Sequence, residues 1–338
     1  MTGAGVNFAT PLTRLNPWYP GQFGVEGAWT DTGLRMHSTG TVFYVDPNFP
    51  GASDARDGTD PTSPLLTVAT AITKCEAYRG DVIAVMGNAG WYYTEGGAGY
   101  TTVIAEEVTV DVPGIKIVGL APSAMTNVMW TPASDGGTCI TVHECDVLIE
   151  GFTFTEGQTY AACGIAIDTT YDGATMFGDS LTVRNCLFDD TVDIAIQCDF
   201  PWYCHFHNNY FAQCDNYGIY AAAAGDGLSF SLIHDNVFNM VGETDSGGAI
   251  TLLSDSDNNH IYNNQIYNAA ATVPAAATDE GIVFAAGGTN NQISNNWFSC
   301  PLPGPGAGDW DDLNTTGGAT NAWVHNMCTN GIAVTQPT

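Results

Sequence analysis

Basic residues are nearly missing from this sequence. Its 338 residues include seven lysines and arginines against 36 aspartates and glutamates, a formal net charge of −29. The bases are Lys74, Lys116, Arg14, Arg35, Arg56, Arg79 and Arg184. Such a surface repels phosphate backbones, which excludes nucleic acid as a partner and disfavours anionic membranes and polyuronates. Neutral glycans, cations and basic protein surfaces remain. Charge of either sign is scarce, 13% of residues where a globular chain carries about a quarter. No stretch approaches the roughly 18 apolar residues of a membrane span, so no membrane insertion is expected. The first 20 residues lack the apolar core of a secretory leader, which gives an expectation of synthesis in a host cytoplasm. None of the ten cysteines forms a C-x-x-C pair, which argues against structural zinc. Cys145, Cys163, Cys186, Cys198, Cys204 and Cys214 read instead as small buried hydrophobes kept reduced.

What the chain has in quantity is turns and a repeat. Glycine occurs 39 times and 44% of residues are hydrophobic. One apolar residue, one variable residue, then glycine, asparagine or aspartate recurs along the chain. The motif reads Val85-Met86-Gly87, Ile117-Val118-Gly119, Ile149-Glu150-Gly151, Val183-Arg184-Asn185, Phe206-His207-Asn208, Ile233-His234-Asp235, Ile261-Tyr262-Asn263 and Ile293-Ser294-Asn295, with a weaker Trp323-Val324-His325. Spacings of 32, 32, 34, 23, 27, 28, 32 and 30 residues mean stacked units that cannot bury their apolar faces alone. Gly, Asn and Asp tolerate positive φ, so each repeat is expected to turn through a left-handed residue there. A second apolar anchor follows at Phe154, Phe188, Phe211, Phe238, Ile266, Phe298 and Cys328. An extra asparagine stands after the turn at Asn209, Asn236, Asn264, Asn296 and Asn326. Further short strands are expected at Gly164–Ile167, Asp193–Ile196, Gly218–Tyr220 and Gly281–Phe284. Two or three short strands per repeat describe the coil of a parallel β-helix. Leucine-rich repeats lack support because their leucine pattern and helical segment are missing, and propeller blades need longer repeats.

These residues resemble the right-handed parallel β-helix, or pectate-lyase-like, superfamily over roughly residues 41 to 330. The resemblance includes the strand Val42–Asp46, the polar loop Asp57-Gly58-Thr59-Asp60 and a short helix over Thr67–Cys75 that would cap the open end of the core. The fold class expected is all-β, a single-stranded right-handed parallel β-helix of about nine coils with an N-terminal cap helix and an extended N-terminal arm. Stacked at about 4.8 Å, nine coils would give a rod roughly 40 Å long. Residues 1–40 would be a docking arm, 41–80 the cap, 81–330 the coils and 331–338 a tail. The arm is aperiodic and carries Trp18, Tyr19, Phe23 and Trp29 as docking candidates. Loops at 169–179, 268–278 and 301–318 would project from the coils.

Three groups could carry chemistry. The variable repeat position should face outward, filing Glu150, Arg184, His207 and His234 at about 4.8 Å intervals, where imidazoles could transfer protons or bind a sugar. A second file, Asp190, Asp215 and Asp245, brings carboxylates close enough to need a proton or a cation between them. It would serve as an acid and base pair, a cation site or ordinary turns. Third, Asp54, Asp57 and Asp60 give one loop the oxygen density of a calcium site, though no glutamate closes it as in an EF-hand. Calcium is the one cofactor suggested. Trp202 and Trp310 add outward aromatic candidates for glycan binding.

The Gly-Asp-Asp, Gly-His-Gly and Arg-Ile-Lys motifs of β-helix hydrolases are missing, and few bases serve a lyase. The resulting expectation is a non-enzymatic structural protein on a tailed-phage virion: a capsid decoration, head fibre or tail fibre with glycan contact. Its partners would be other virion proteins and copies of itself, a trimer by resemblance. The alternative is an extracellular carbohydrate-active β-helix enzyme or glycan-binding tailspike acting on a neutral polysaccharide.

Overall fold

A computed structural model describes residues 40–87, 102–120, 128–155, 161–167, 178–189, 192–221, 227–239, 241, 248–252, 256–267, 280–284, 288–299, 310–312 and 321–328. The chain forms two compact units. One comprises Met1–Ile104, Val112–Trp130 and Leu148–Thr153, the other Ala105–Asp111, Thr131–Val147 and Phe154–Thr338. The docking candidates Trp18, Tyr19, Phe23 and Trp29 lie outside the described residues, as do Asp190, Asp245 and the 331–338 tail.

In the first unit, strands Val42–Val45, Val82–Met86, Lys116–Leu120 and Leu148–Glu150 pair in that order, all parallel. The helix runs Val68–Lys74, N-capped by Thr67, whose side chain accepts the Thr70 N–H. Val68, Ala71 and Ile72 are its buried face. Two details differ from the sequence reading. Ile83 pairs with Ile117, so the first repeat is Ile83-Ala84-Val85 and the Val85-Met86-Gly87 frame is two residues out of register. An unbroken apolar run satisfies either frame, because alternation specifies register only where one face is polar. Gly119 is also not a left-handed turn but lies inside a strand, where a Cβ would strike the backbone carbonyl of Gly151.

The second unit contains three parallel sheets. The first orders Thr182–Arg184, His205–His207, Leu232–His234, His260–Tyr262, Gln292–Ser294 and Ala322–Val324. The second has eight strands, from Val108–Val110 through Gly137–Val142, Ala161–Ile167, Val192–Cys198, Tyr217–Ala221, Gly248–Leu252 and Glu280–Phe284 to Trp310–Asp312. The third includes Leu187–Phe188, Tyr210–Ala212, Val237–Asn239, Gln265–Tyr267, Trp297–Ser299 and Met327–Cys328. Strands far apart in sequence, all parallel and stacked coil on coil, are the topology of a right-handed parallel β-helix.

The repeat residues act as expected from Gly151 onward. Gly151, Asn185, Asn208, Asp235, Asn263, Asn295 and His325 all have positive φ, between 53° and 81°. The apolar residue two positions before each turn is buried, from Val183 and Phe206 to Ile293 and Trp323. The second anchors stack: ring centroids of Phe154–Phe188, Phe188–Phe211 and Phe211–Phe238 are 4.9, 5.0 and 4.4 Å apart with planes within 11°.

The asparagine after the turn has a specific task. Asn236 Oδ1 accepts the Asn209 backbone N–H at 3.0 Å and its side-chain amide at 3.1 Å. Asn236 Nδ2 donates to Phe206 O at 2.9 Å and to Asn264 Oδ1 at 3.0 Å. The same pattern continues through Asn264, Asn296 and Asn326. A second ladder of Asn259, Asn291 and Asn321 repeats it at the corner before the first-sheet strands. Turn backbone that would otherwise be buried without partners is thereby satisfied along the stack.

Candidate functional site

The first sheet of the second unit turns one side of each strand inward, through Val183, Phe206, Ile233, Ile261 and Ile293, all buried. The flanking residues alternate to the other side. Register places Arg184, His207, His234 and Tyr262 in one file and His205, Leu232 and His260 in the next. In-register parallel pairing sets equivalent outer residues of adjacent strands about 4.8 Å apart, so the outer rings stack on each other. His207 and His234 lie 5.1 Å apart, 8° from parallel. His234 stacks on Tyr262 at 4.6 Å, and His260 leans on Tyr262 at 4.3 Å.

Three of these rings converge. The ligand atoms of His205, His207 and His234 lie within 4.8 Å of one another, the one such cluster of three or more His, Cys, Asp or Glu among the described residues. His205 Nε2 and His234 Nε2 are 2.5 Å apart, within hydrogen-bond distance, with one nitrogen donating to the other. His234 Nδ1 lies 2.7 Å from Asp235 Oδ2, a contact in which Nδ1–H donates to the carboxylate, and its Nε2 faces His205. Asn208 Nδ2 lies 2.9 Å from His207 Nδ1, and His260 Nε2 is 3.1 Å from Ser294 Oγ.

The electrostatics disfavour charge on His205, His207 and His260. Burial, then His205, His234 and Arg184, push the His207 imidazole down to about 3, with Asp235 opposing. Burial and the neighbouring His234 lower His205 and His260 as well, with Arg184 adding to the effect on His205. Neutral imidazoles offer lone pairs to a ligand. They are poor general acids near pH 7, so the arrangement suits coordination better than proton delivery.

Of the file expected from sequence, the structure brings together Arg184, His207 and His234. Glu150 departs from it: it is buried, at 2% exposure, and not solvent-facing. In register with Val118 and Ala84, it lies in a stretch of strands that is apolar on both sides. His205, His260 and Tyr262 were missed as site residues, although His205-Phe206-His207 shows the alternation that places both histidines on one side.

The remaining candidates separate. Asp54, Asp57 and Asp60 do not form a common oxygen cage. Asp54 accepts the N–H groups of Leu66 and Thr67 at 3.0 Å each. Asp57 accepts from Thr59 N–H at 3.1 Å, and Asp60 from Thr62 N–H at 2.8 Å. Each carboxylate takes part in turn or cap hydrogen bonds. Of the carboxylate file only Asp215 is described, and it is half-buried. Trp310 lies in the last strand of the second sheet. Trp202 is 40% exposed at the corner preceding His205–His207.

Known structures share the fold at low identity. A GH136 lacto-N-biosidase from Eubacterium ramulus is 12% identical, with a TM-score of 0.58 over 90% of this chain and 58% of that chain. This chain therefore spans well under two thirds of that protein. An alginate lyase from Paenibacillus sp. is 14% identical, with a TM-score of 0.52 over 78% of this chain and 92% of that chain. These likenesses establish the fold alone. No curated protein matches the sequence. No described helix is long and apolar enough to cross a membrane. The family model described as periplasmic copper-binding protein (NosD) matches residues 101–301, and the chain belongs to the NosD family.

Proposed function

We propose that this chain is a non-catalytic β-helix that binds a transition-metal ion of the copper and zinc class through His205, His207 and His234. The observation that carries this reading is the convergence of three imidazoles on the outer side of the first sheet, with charge on His205 and His207 disfavoured by burial. Imidazole nitrogen is a ligand that copper, zinc and nickel share. Copper is favoured because the family description names it.

The residues fit such an ion. Three protein nitrogens would leave a further position open. Asp235 on His234 Nδ1 is the carboxylate support that orients a ligating imidazole. Ligation would displace the proton between His205 Nε2 and His234 Nε2 and bring both nitrogens to the ion. Arg184 opposes a cation here and Asp235 favours one. A bound ion would supply ligand capture at its open position; the chain's part is to hold three lone pairs on a rigid sheet.

The test is equilibrium dialysis and thermal melting of the metal-free protein with Cu2+ and Zn2+. One equivalent retained per chain, a raised melting temperature and nitrogen hyperfine structure in the copper spectrum are expected, all lost in His234→Ala with the fold intact. Retention that survives His205→Ala and His234→Ala together would remove the proposal.

For its setting we propose the surface of a tailed-phage virion, with residues 1–40 as the docking arm and other virion proteins or copies of itself as partners. Supporting this is the composition of the arm, rich in aromatics and holding Arg14 and Arg35 of only seven bases. Truncation to residue 41 is expected to leave a folded β-helix that no longer joins native particles; undiminished assembly would refute the arm's role.

A further inference from the structure

The corner that leads into the first-sheet strands of the second unit contains its own left-handed column: Ser180, Tyr203, Phe230, Asn258 and Asn290, with φ between 53° and 60°. Ser and Asn suit such a backbone, because short polar side chains tolerate it or bond locally. Tyr203 and Phe230 do not, and Phe200 beside them has φ of 71°. Bulky residues in this region are outliers that persist only where something else maintains them.

These same side chains are left in solvent. Phe200, Trp202, Tyr203 and Phe230 are 40–57% exposed, and they gather into one patch. Trp202 and Phe230 have ring centroids 5.7 Å apart, Tyr203 and Phe230 5.6 Å, and Phe200 and Trp202 6.5 Å. Their backbones are pinned: Trp202 N–H donates to Asp179 Oδ1 at 2.7 Å, Tyr203 N–H to Ser229 O at 3.1 Å and Phe230 N–H to Asp257 O at 2.9 Å. Strain and exposed apolar area therefore coincide at two consecutive coils, while neighbouring coils use ordinary turn residues.

We propose that Phe200, Trp202, Tyr203 and Phe230 form a stacking platform for a neutral glycan, with the Asp179 carboxylate beside Trp202 as a hydroxyl acceptor. The ring planes splay by 29° to 83°, a surface that follows successive sugar rings better than it seals a flat protein face. The net charge of −29 sets the ligand class. Polyuronates and a second copy of this acidic chain are both repelled at a corner bordered by a carboxylate, whereas a neutral polysaccharide offers C–H faces to the rings and hydroxyls to the acid. This site is separate from the histidine cluster and does not depend on metal.

The design of the column supplies the test. Asparagine occupies the equivalent positions at Asn258 and Asn290, so Tyr203→Asn with Phe230→Asn removes two rings and relieves the backbone together. Native gels cast with dextran, galactomannan, hydroxyethylcellulose or soluble starch should retard the wild-type protein in at least one case, and alginate should not. The double variant and Trp202→Ala should each bind at least about tenfold more weakly, the scale of one lost aromatic stacking contact, while the double variant melts at or above wild type. Retardation by none of the neutral polymers overturns the proposal. So does full binding by the double variant, or sedimentation showing that the patch instead joins copies of the chain.

Discussion

Asn236→Ala should destabilise the molecule clearly, although it deletes only a small polar side chain. Asn236 is fully buried and makes four side-chain hydrogen bonds along the stack. Three of the groups it serves keep another partner: Asn209 Nδ2 still donates to Val183 O, Asn264 Oδ1 still accepts the Asn236 backbone N–H, and the Phe206 carbonyl stays in the parallel ladder with Leu232–His234. The Asn209 N–H loses its partner. An orphaned buried backbone group costs about 1–3 kcal/mol. Asn326, on the last rung, serves Asn296 N–H and Ile293 O in the same way but is half-exposed. Water can take over there, and Asn326→Ala should cost only about 0.5–1.5 kcal/mol. Urea unfolding, with amide exchange to localise the loss because coils need not unfold together, compares the two. Equal costs would refute the claim that burial gives the rungs their value. The double variant Asn236→Ala with Asn264→Ala should cost less than the sum, since the residues share a bond.

Asn263→Val places a β-branched residue at φ of 56° and should cost about 1–3 kcal/mol, whereas Asn263→Gly should be close to neutral; calorimetric melts decide. In metal-free protein, His207 gives stability a pH dependence between its unfolded value near 6.5 and its folded value of about 3. In that window the unfolded chain binds more protons, so stability is full above about 6.5 and declines as pH falls. Denaturant midpoints of wild type and His207→Asn, compared at pH 7.5 and 5.0, should show a smaller loss in the variant; identical losses would contradict the assignment. Phe211→Ala, at the centre of the stacked ring column, should cost about 3–5 kcal/mol in the same assay.

The sequence by itself determined the solenoid. A recurring triplet with Gly, Asn or Asp at its end marks left-handed turns because few residues tolerate positive φ, and those turns appear from Gly151 to His325. Apolar residues spaced one coil apart marked the stacked core for the same kind of local reason. Where local chemistry was ambiguous, sequence misled: the apolar run through Val82–Met86 fits two registers, and only pairing with Lys116–Leu120 selects one. Glu150 reads as outward from its strand position, but whether a strand's outer side meets water depends on what else packs there.

The sites belong mainly to the tertiary structure. His207 and His234 were legible as a file, since 27 residues separate equivalent positions on consecutive coils. Their convergence with His205 was not, because it depends on side-chain directions and on desolvation by neighbouring coils. The aromatic corner was legible only as Trp202. Tyr203 and Phe230 violate the turn rule by which the other coils are recognised, so a sequence pattern passes over them, and their left-handed backbone becomes visible only when the stacked coils hold it there.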